Sequence, residues 1–263
     1  MFIMYPIMKD NESKYQAPAL DKGLDIMEYL SLKATSLSQT EIAAGISKKP
    51  NEIYRMLVCL ENRGYLIRDE VSGKYKLSLK LFHLSHRHSP VDDIRRASQY
   101  PMDELSSDIN QSCHLGILYI EKLMVISQSR SPGAISLSIE EGSLFPLLLT
   151  TSGRVLLAFM RDEERLHLLR RNDLYMSQTA RQQKQTLALL DEIRTLGYCV
   201  KDSDSTRSVT DICIPLCTSQ GDIIAALTVA ALTSKSDQSV SFDAIVEKTK
   251  VAAGKILERL GLN

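Results

Sequence analysis

The sequence predicts an α+β protein in two parts: an N-terminal winged helix-turn-helix and, after a linker helix, a larger domain of mixed helices and strands. Three observations predict it. At 263 residues the chain is long for one compact domain and comfortable for two. Between Ser38 and Lys80 a capping box, a glycine turn, a second amphipathic segment and a hairpin pattern follow one another. From Val91 onward helical and period-two apolar patterns alternate.

Residues 1–16 read as a loose tail, and residues 17–79 as the first domain. From Ala19 to Leu32 the apolar Leu20, Leu24, Met27 and Leu30 recur at helical spacing between charged residues. Ser38 and Glu41 form a capping-box signature for a short helix through Ala44, with Gly45 expected to end it. A second helix carries Ile53, Met56, Leu57 and Leu60 on one face and closes at Gly64. Helix, glycine-containing turn and helix at this spacing is the helix-turn-helix layout. Tyr65–Arg68 and the alternating Tyr75, Leu77 and Leu79 flank the turn pair Ser72–Gly73, which predicts a two-stranded wing with a basic outer face.

Residues 80–90 read as a linker helix and 91–263 as the second domain. His83, His86 and His88 in the linker invite a metal, but no cysteine or carboxylate nearby completes a tetrahedral set, so none is expected. Further helices are predicted at Ile94–Asn110 (disturbed at Pro101), Gly153–Met160, Glu163–Arg171, Arg181–Thr195 and Phe242–Leu260. Strands are predicted at Cys113–Ile120, Leu123–Ser129, Ile135–Ile139, Gly197–Lys201, Ile212–Cys217 and Ile223–Leu232.

Charge narrows the function. The chain balances 32 basic against 32 acidic residues, yet Ser47–His88 holds nine basic residues and four acidic ones, a local net +5 on an otherwise acidic chain. That is the electrostatic footprint a phosphate backbone requires. On the outward face of the second helix and its approach, Lys48, Lys49, Asn51, Tyr54 and Arg55 are candidate DNA contacts. Arginine pairs bidentately with guanine and asparagine with adenine, while lysine and tyrosine more often hold phosphates. In the wing, Ser72, Lys74 and Lys76 would follow the backbone or minor groove. A winged helix used only for protein contacts is the alternative.

Five cysteines without a CxxC pair fit buried thiols in a reducing cytosol rather than a disulfide framework or a zinc site. The apolar opening MFIMYPIM lacks the layout of a secretory signal, and no stretch suits a bilayer span, so a cytoplasmic protein is expected. No GxSxG, Gly-rich phosphate loop or paired metal motif is present, so neither catalytic residues nor a cofactor are expected. An enzyme with an accessory winged helix is the second function class. A DNA-binding protein that takes no ligand is the third.

Over almost its full length the chain resembles the IclR family of bacterial transcription factors. The resemblance lies in Ala19–Ile26, Leu37–Gly45, Arg55–Leu57 with Leu60–Leu66, the wing Gly73–Leu77, Gly142–Leu157, Glu192–Arg194 with Gly197–Tyr198, and Ile212–Pro215. It implies a GAF-like second domain that binds a small effector, such as a sugar acid or another small carboxylate. It also implies a homodimer or homotetramer on double-stranded operator DNA, usually repressing a catabolic operon. The chain departs from the pattern in places. Many members begin the recognition helix with a serine-threonine pair, where this one has Lys49-Pro50-Asn51. The stretch Thr150–Arg154 is expected as a loop and replaces the family's small residues before a glycine-lysine pair. A cysteine of the family's pocket aligns with Asp211, and two serines with Thr228 and Ala230. The resemblance thus implies an effector site at Thr151, Ser152, Asp211, Thr228 and Ala230. An ionised Asp211 there accepts hydrogen bonds and repels a bare anion, which favours a hydroxylated effector over a plain keto acid.

Overall fold

The computed structural model describes residues 17–85, 90–204, 206–232 and 241–262. The chain divides into two compact units, Met1–Ser89 and Pro90–Asn263. The expected tail at 1–16 and the linker positions 86–89, with His86 and His88, lie outside the described residues.

In the first unit, α1 (Pro18–Ser31), α2 (Gln39–Gly45) and α3 (Pro50–Asn62) pack around buried Ile26, Leu30, Ile42, Ile53 and Leu57. The capping box starts α2: Glu41 N–H donates to Ser38 Oγ at 3.3 Å, and Ser38 N–H donates to Glu41 Oε2 at 2.7 Å. Gly45 does not end α2 by turning left-handed. It is the last helical residue, and the left-handed position falls at Ser47 (φ 56°). Glycine stands at 45 for space, because a Cβ there would overlap the Tyr29 ring of α1. Pro50 opens α3, where the missing N–H costs nothing. Strands β1 (Leu66–Arg68) and β2 (Tyr75–Leu77) pair antiparallel with Arg68 opposite Tyr75, and Leu66 and Tyr75 close the core. A short α4 (Lys80–Ser85) follows, with no buried residue.

In the second unit the described strands form one antiparallel sheet of order β5-β4-β3-β8-β7-β6. Its strands are β3 (Ser112–Tyr119), β4 (Lys122–Ser129), β5 (Leu144–Pro146), β6 (Cys199–Asp202), β7 (Val209–Cys217) and β8 (Ile223–Leu232). One core joins the sheet to α5 (Pro90–Ile109) and α10 (Phe242–Leu260) through Met102, Leu105, Ile245 and Ile256. A second core joins it to α6 (Thr151–Phe159), α7 (Asp162–Arg170), α8 (Asp173–Met176) and α9 (Ala180–Leu196) through Leu156, Leu157, Leu169, Tyr175 and Leu190. Helices therefore cover both faces of the sheet.

Four local expectations are corrected. Pro101 lies inside an unbroken α5, since burial of Ala97, Met102, Leu105 and Ile109 outweighs the hydrogen bond that proline cannot make. The β3–β4 turn is Ile120–Glu121, because Tyr119 pairs with Lys122. Ile135–Ile139 is not a strand, and the sheet is extended instead by Leu144–Pro146. There Gln128 Oε1 accepts from Ile139 N–H at 3.2 Å and from Ser138 Oγ at 3.1 Å, so a side chain replaces the ladder partner. Finally, Thr151 and Ser152 already belong to α6, two residues ahead of the predicted helix start at Gly153, rather than to a loop. Thr150 caps it by accepting from Gly153 N–H at 3.1 Å, and a Cβ on Gly153 would overlap the Leu147 carbonyl oxygen.

Candidate functional site

The first site is the outer face of α3 with the hairpin. Burying Ile53 and Leu57 against α1 and α2 leaves Asn51, Tyr54 and Arg55 exposed one helical turn apart. Lys48 and Lys49 are exposed at the approach to α3. Glu52 sits among them and is neutralised locally. Its carboxylate accepts from Lys49 N–H at 2.9 Å and pairs with Lys22 of α1 at 3.4 Å. These bonds, the backbone one first, hold its carboxyl below the usual range. Gln39 Nε2 donates to the Pro50 carbonyl at 2.8 Å, which fixes α2 against the start of α3.

Of the wing residues, Lys76 is exposed. Lys74 lies 3.9 Å from Glu41 across to α2. The Ser72 hydroxyl donates to Asp69 Oδ1 at 2.7 Å, so this serine shapes the turn first. Arg68 was not singled out by the sequence. It is exposed, with its guanidinium 5.6 Å from the centroid of the Tyr75 ring, and it adds a fixed cation to the wing.

The second site is a cavity of about 110 Å³ inside the second unit. Its polar lining residues are His114, Ser138, Thr150, Ser203, Thr206 and Asp211. Its apolar ones are Leu123, Leu137, Ile139, Phe145, Val209 and Ala230. Two of the five residues singled out in the sequence, Asp211 and Ala230, line it. Thr151 stands behind Asp211 and donates from Oγ1 to Oδ2 at 3.2 Å. Ser152 and Thr228 form a buried layer instead: Ser152 Oγ is 2.8 Å from Thr228 Oγ1 and 3.3 Å from His114 Nε2.

Burial pushes the Asp211 carboxyl up, against the hydrogen bonds from Ser203 and Thr151. Nearby Asp204 adds to the rise and Arg154 opposes it. Arg154 places Nη2 at 2.6 Å from Asp204, to which Lys201 also reaches at 3.7 Å, while its buried Nη1 has no hydrogen-bond partner among the described residues. Burial pulls His114 down to about 4, so it is a neutral wall residue at pH 7. Sequence reasoning missed His114. Its one signal was an imidazole on the nearly all-apolar stretch Cys113–Ile117. Among the described residues no group of His, Cys, Asp or Glu is arranged to hold a metal ion, and no helix is long and apolar enough to cross a membrane.

Known domain families match both units. Residues 19–70 match the IclR helix-turn-helix domain, and residues 88–258 match the bacterial transcriptional regulator IclR C-terminal domain. The HTH-type transcriptional regulator XynR of Escherichia coli (strain K12) is 27% identical over 233 residues, covering 84% of this chain and 88% of XynR. The HTH-type transcriptional regulator KdgR of the same strain is 28% identical over 225 residues, covering 84% and 85%. A crystal structure of an IclR homolog from Microbacterium hydrocarbonoxydans, complexed with 4-hydroxybenzoate, shares the fold with a TM-score of 0.76 at 20% identity, over 93% of this chain and all of that one. The two domain matches together take in most of the chain, which belongs to the IclR family of DNA-binding, effector-responsive transcriptional regulators.

Proposed function

We propose that this protein is a cytoplasmic repressor of a catabolic operon, binding its operator as a homodimer or a homotetramer and responding to an effector held in the Asp211 cavity. In this reading Asn51 and Arg55 read base edges while Lys48, Lys49 and Tyr54 hold phosphates. Lys74, Lys76 and Arg68 follow the backbone beside the wing. The observation that carries it is the outer face of α3, where Asn51, Tyr54 and Arg55 are exposed together on a helix whose other face is anchored by Ile53 and Leu57.

A dimer would cover exposed apolar side chains of the first unit such as Leu20 on α1, which is 61% exposed. The protein acts by binding and release, without turning its ligand over. Operator capture tests the reading: purified full-length protein is incubated with fragments spanning the DNA that flanks its own gene, and bound fragments are footprinted. A discrete protected site supports it. Retention of all fragments alike at physiological salt contradicts it.

A further inference from the structure

The cavity carries its own anion. Asp211 is the one charged group among its described lining residues, since His114 is neutral at pH 7. Its carboxylate lies against the first turn of α6, held by the hydroxyl of Thr151, the first residue of that helix, at 3.2 Å and by Ser203. The start of a helix favours a negative charge, and here a side chain of the protein supplies it. The two cations beside it both reach Asp204, Arg154 with Nη2 at 2.6 Å and Lys201 at 3.7 Å, and neither lines the cavity. A ligand carboxylate entering the cavity would therefore meet a like charge where a helix end otherwise welcomes it.

An ionised carboxylate offers about four acceptor positions. Thr151 and Ser203 fill two of Asp211's, which leaves acceptors for donors brought by a ligand. Leu137, Ile139, Phe145 and Val209 give the same cavity an apolar wall. We propose that the cavity takes a small amphiphile that presents hydroxyl or ammonium donors to Asp211 and an apolar body to this wall, and that it discriminates against the carboxylate of the same skeleton. The inference rests on the reading of this cavity as the effector site. At about 110 Å³ it suits a body of roughly four heavy atoms, since a cavity of about 150 Å³ holds the six of benzene.

The test is a thermal-shift and calorimetric screen of the full-length protein against alcohols, amines and carboxylates sharing the same four- to six-carbon skeletons. Ligands that bind only the native state raise its melting temperature. The expected result is that stabilising compounds come from the alcohols or amines and bind at least about tenfold tighter than the matched carboxylate. In Asp211→Asn that gap collapses, and the relative contributions of alcohols and amines show which donor the site prefers. A carboxylate that binds tightest in the wild type overturns the inference while leaving the effector reading intact. An unchanged ranking in Asp211→Asn, or no stabilising compound in any of the sets, also overturns it. Operator capture by the same preparation tests the regulator reading separately.

Discussion

At the scale of single residues, the account turns on what each side chain can donate. Arg55 stands exposed on α3, one position from Tyr54 and four from Asn51. If it reads a base edge, Arg55→Ala should cost roughly 1–3 kcal/mol of operator affinity and relax the preference at one base pair in each half-site. Lys76→Ala should instead weaken all sequences alike and lower the salt slope by about one unit. Footprinting of base-substituted operators and a salt titration measure the two effects. Equal losses on every sequence for Arg55→Ala would move it to the phosphate contacts.

His114 makes a different prediction, on stability. Its folded pKa is depressed by burial from 6.5 to about 4, so the stability it supports is present above about pH 6.5 and is lost as pH falls toward 4. The loss is on the order of 3 kcal/mol. His114→Asn should show a flatter acid limb than wild type when urea midpoints are measured from pH 7 to pH 4, and parallel limbs would contradict the assignment. The candidate site was legible in the sequence only where the resemblance reached, at Asp211 and Ala230. His114, Ser203 and Thr206 come from other strands and loops, and their convergence depends on the order β3-β8-β7-β6, which no local pattern encodes.

At the scale of elements, local chemistry predicts most starts and stops. The Ser38 box begins α2, Pro50 begins α3, and Phe242–Leu260 is found as read. The failures share a cause: tertiary contacts overrode local pattern. Ile135–Ile139 alternates like a strand, but Leu137 and Ile139 turn toward the cavity while Gln128 satisfies the backbone N–H of Ile139. Pro101 reads as a break, yet α5 is held by the core on both sides of it. Gly153, read as the start of a helix, is a packing residue within α6. Gly153→Ala should therefore destabilise by about 1–3 kcal/mol, since the rigid Leu147 carbonyl has to move. Gly254 in α10 has open space around it, and Gly254→Ala should stabilise by up to about 1 kcal/mol. Denaturant midpoints of the two variants should move in opposite directions. Movement of both in one direction would show that the close approach at 153 relaxes freely.

At the scale of the whole molecule, a single α3 reads only a few base pairs, so selective binding needs two copies. A dimer should recognise a near-palindrome with half-site centres about one or two helical turns apart. Inserting about 5 base pairs between the half-sites should abolish tight binding by placing them on opposite faces of the duplex. Retained affinity would mean that the half-sites are bound independently. The central claim, that this chain is a sequence-specific DNA-binding regulator, is tested most directly by titrating the full-length protein into labelled duplexes at one salt concentration, the captured operator in one and the same bases shuffled in the other. The account predicts a preference for the operator of at least about a thousandfold. Equal affinity for the two duplexes would contradict it.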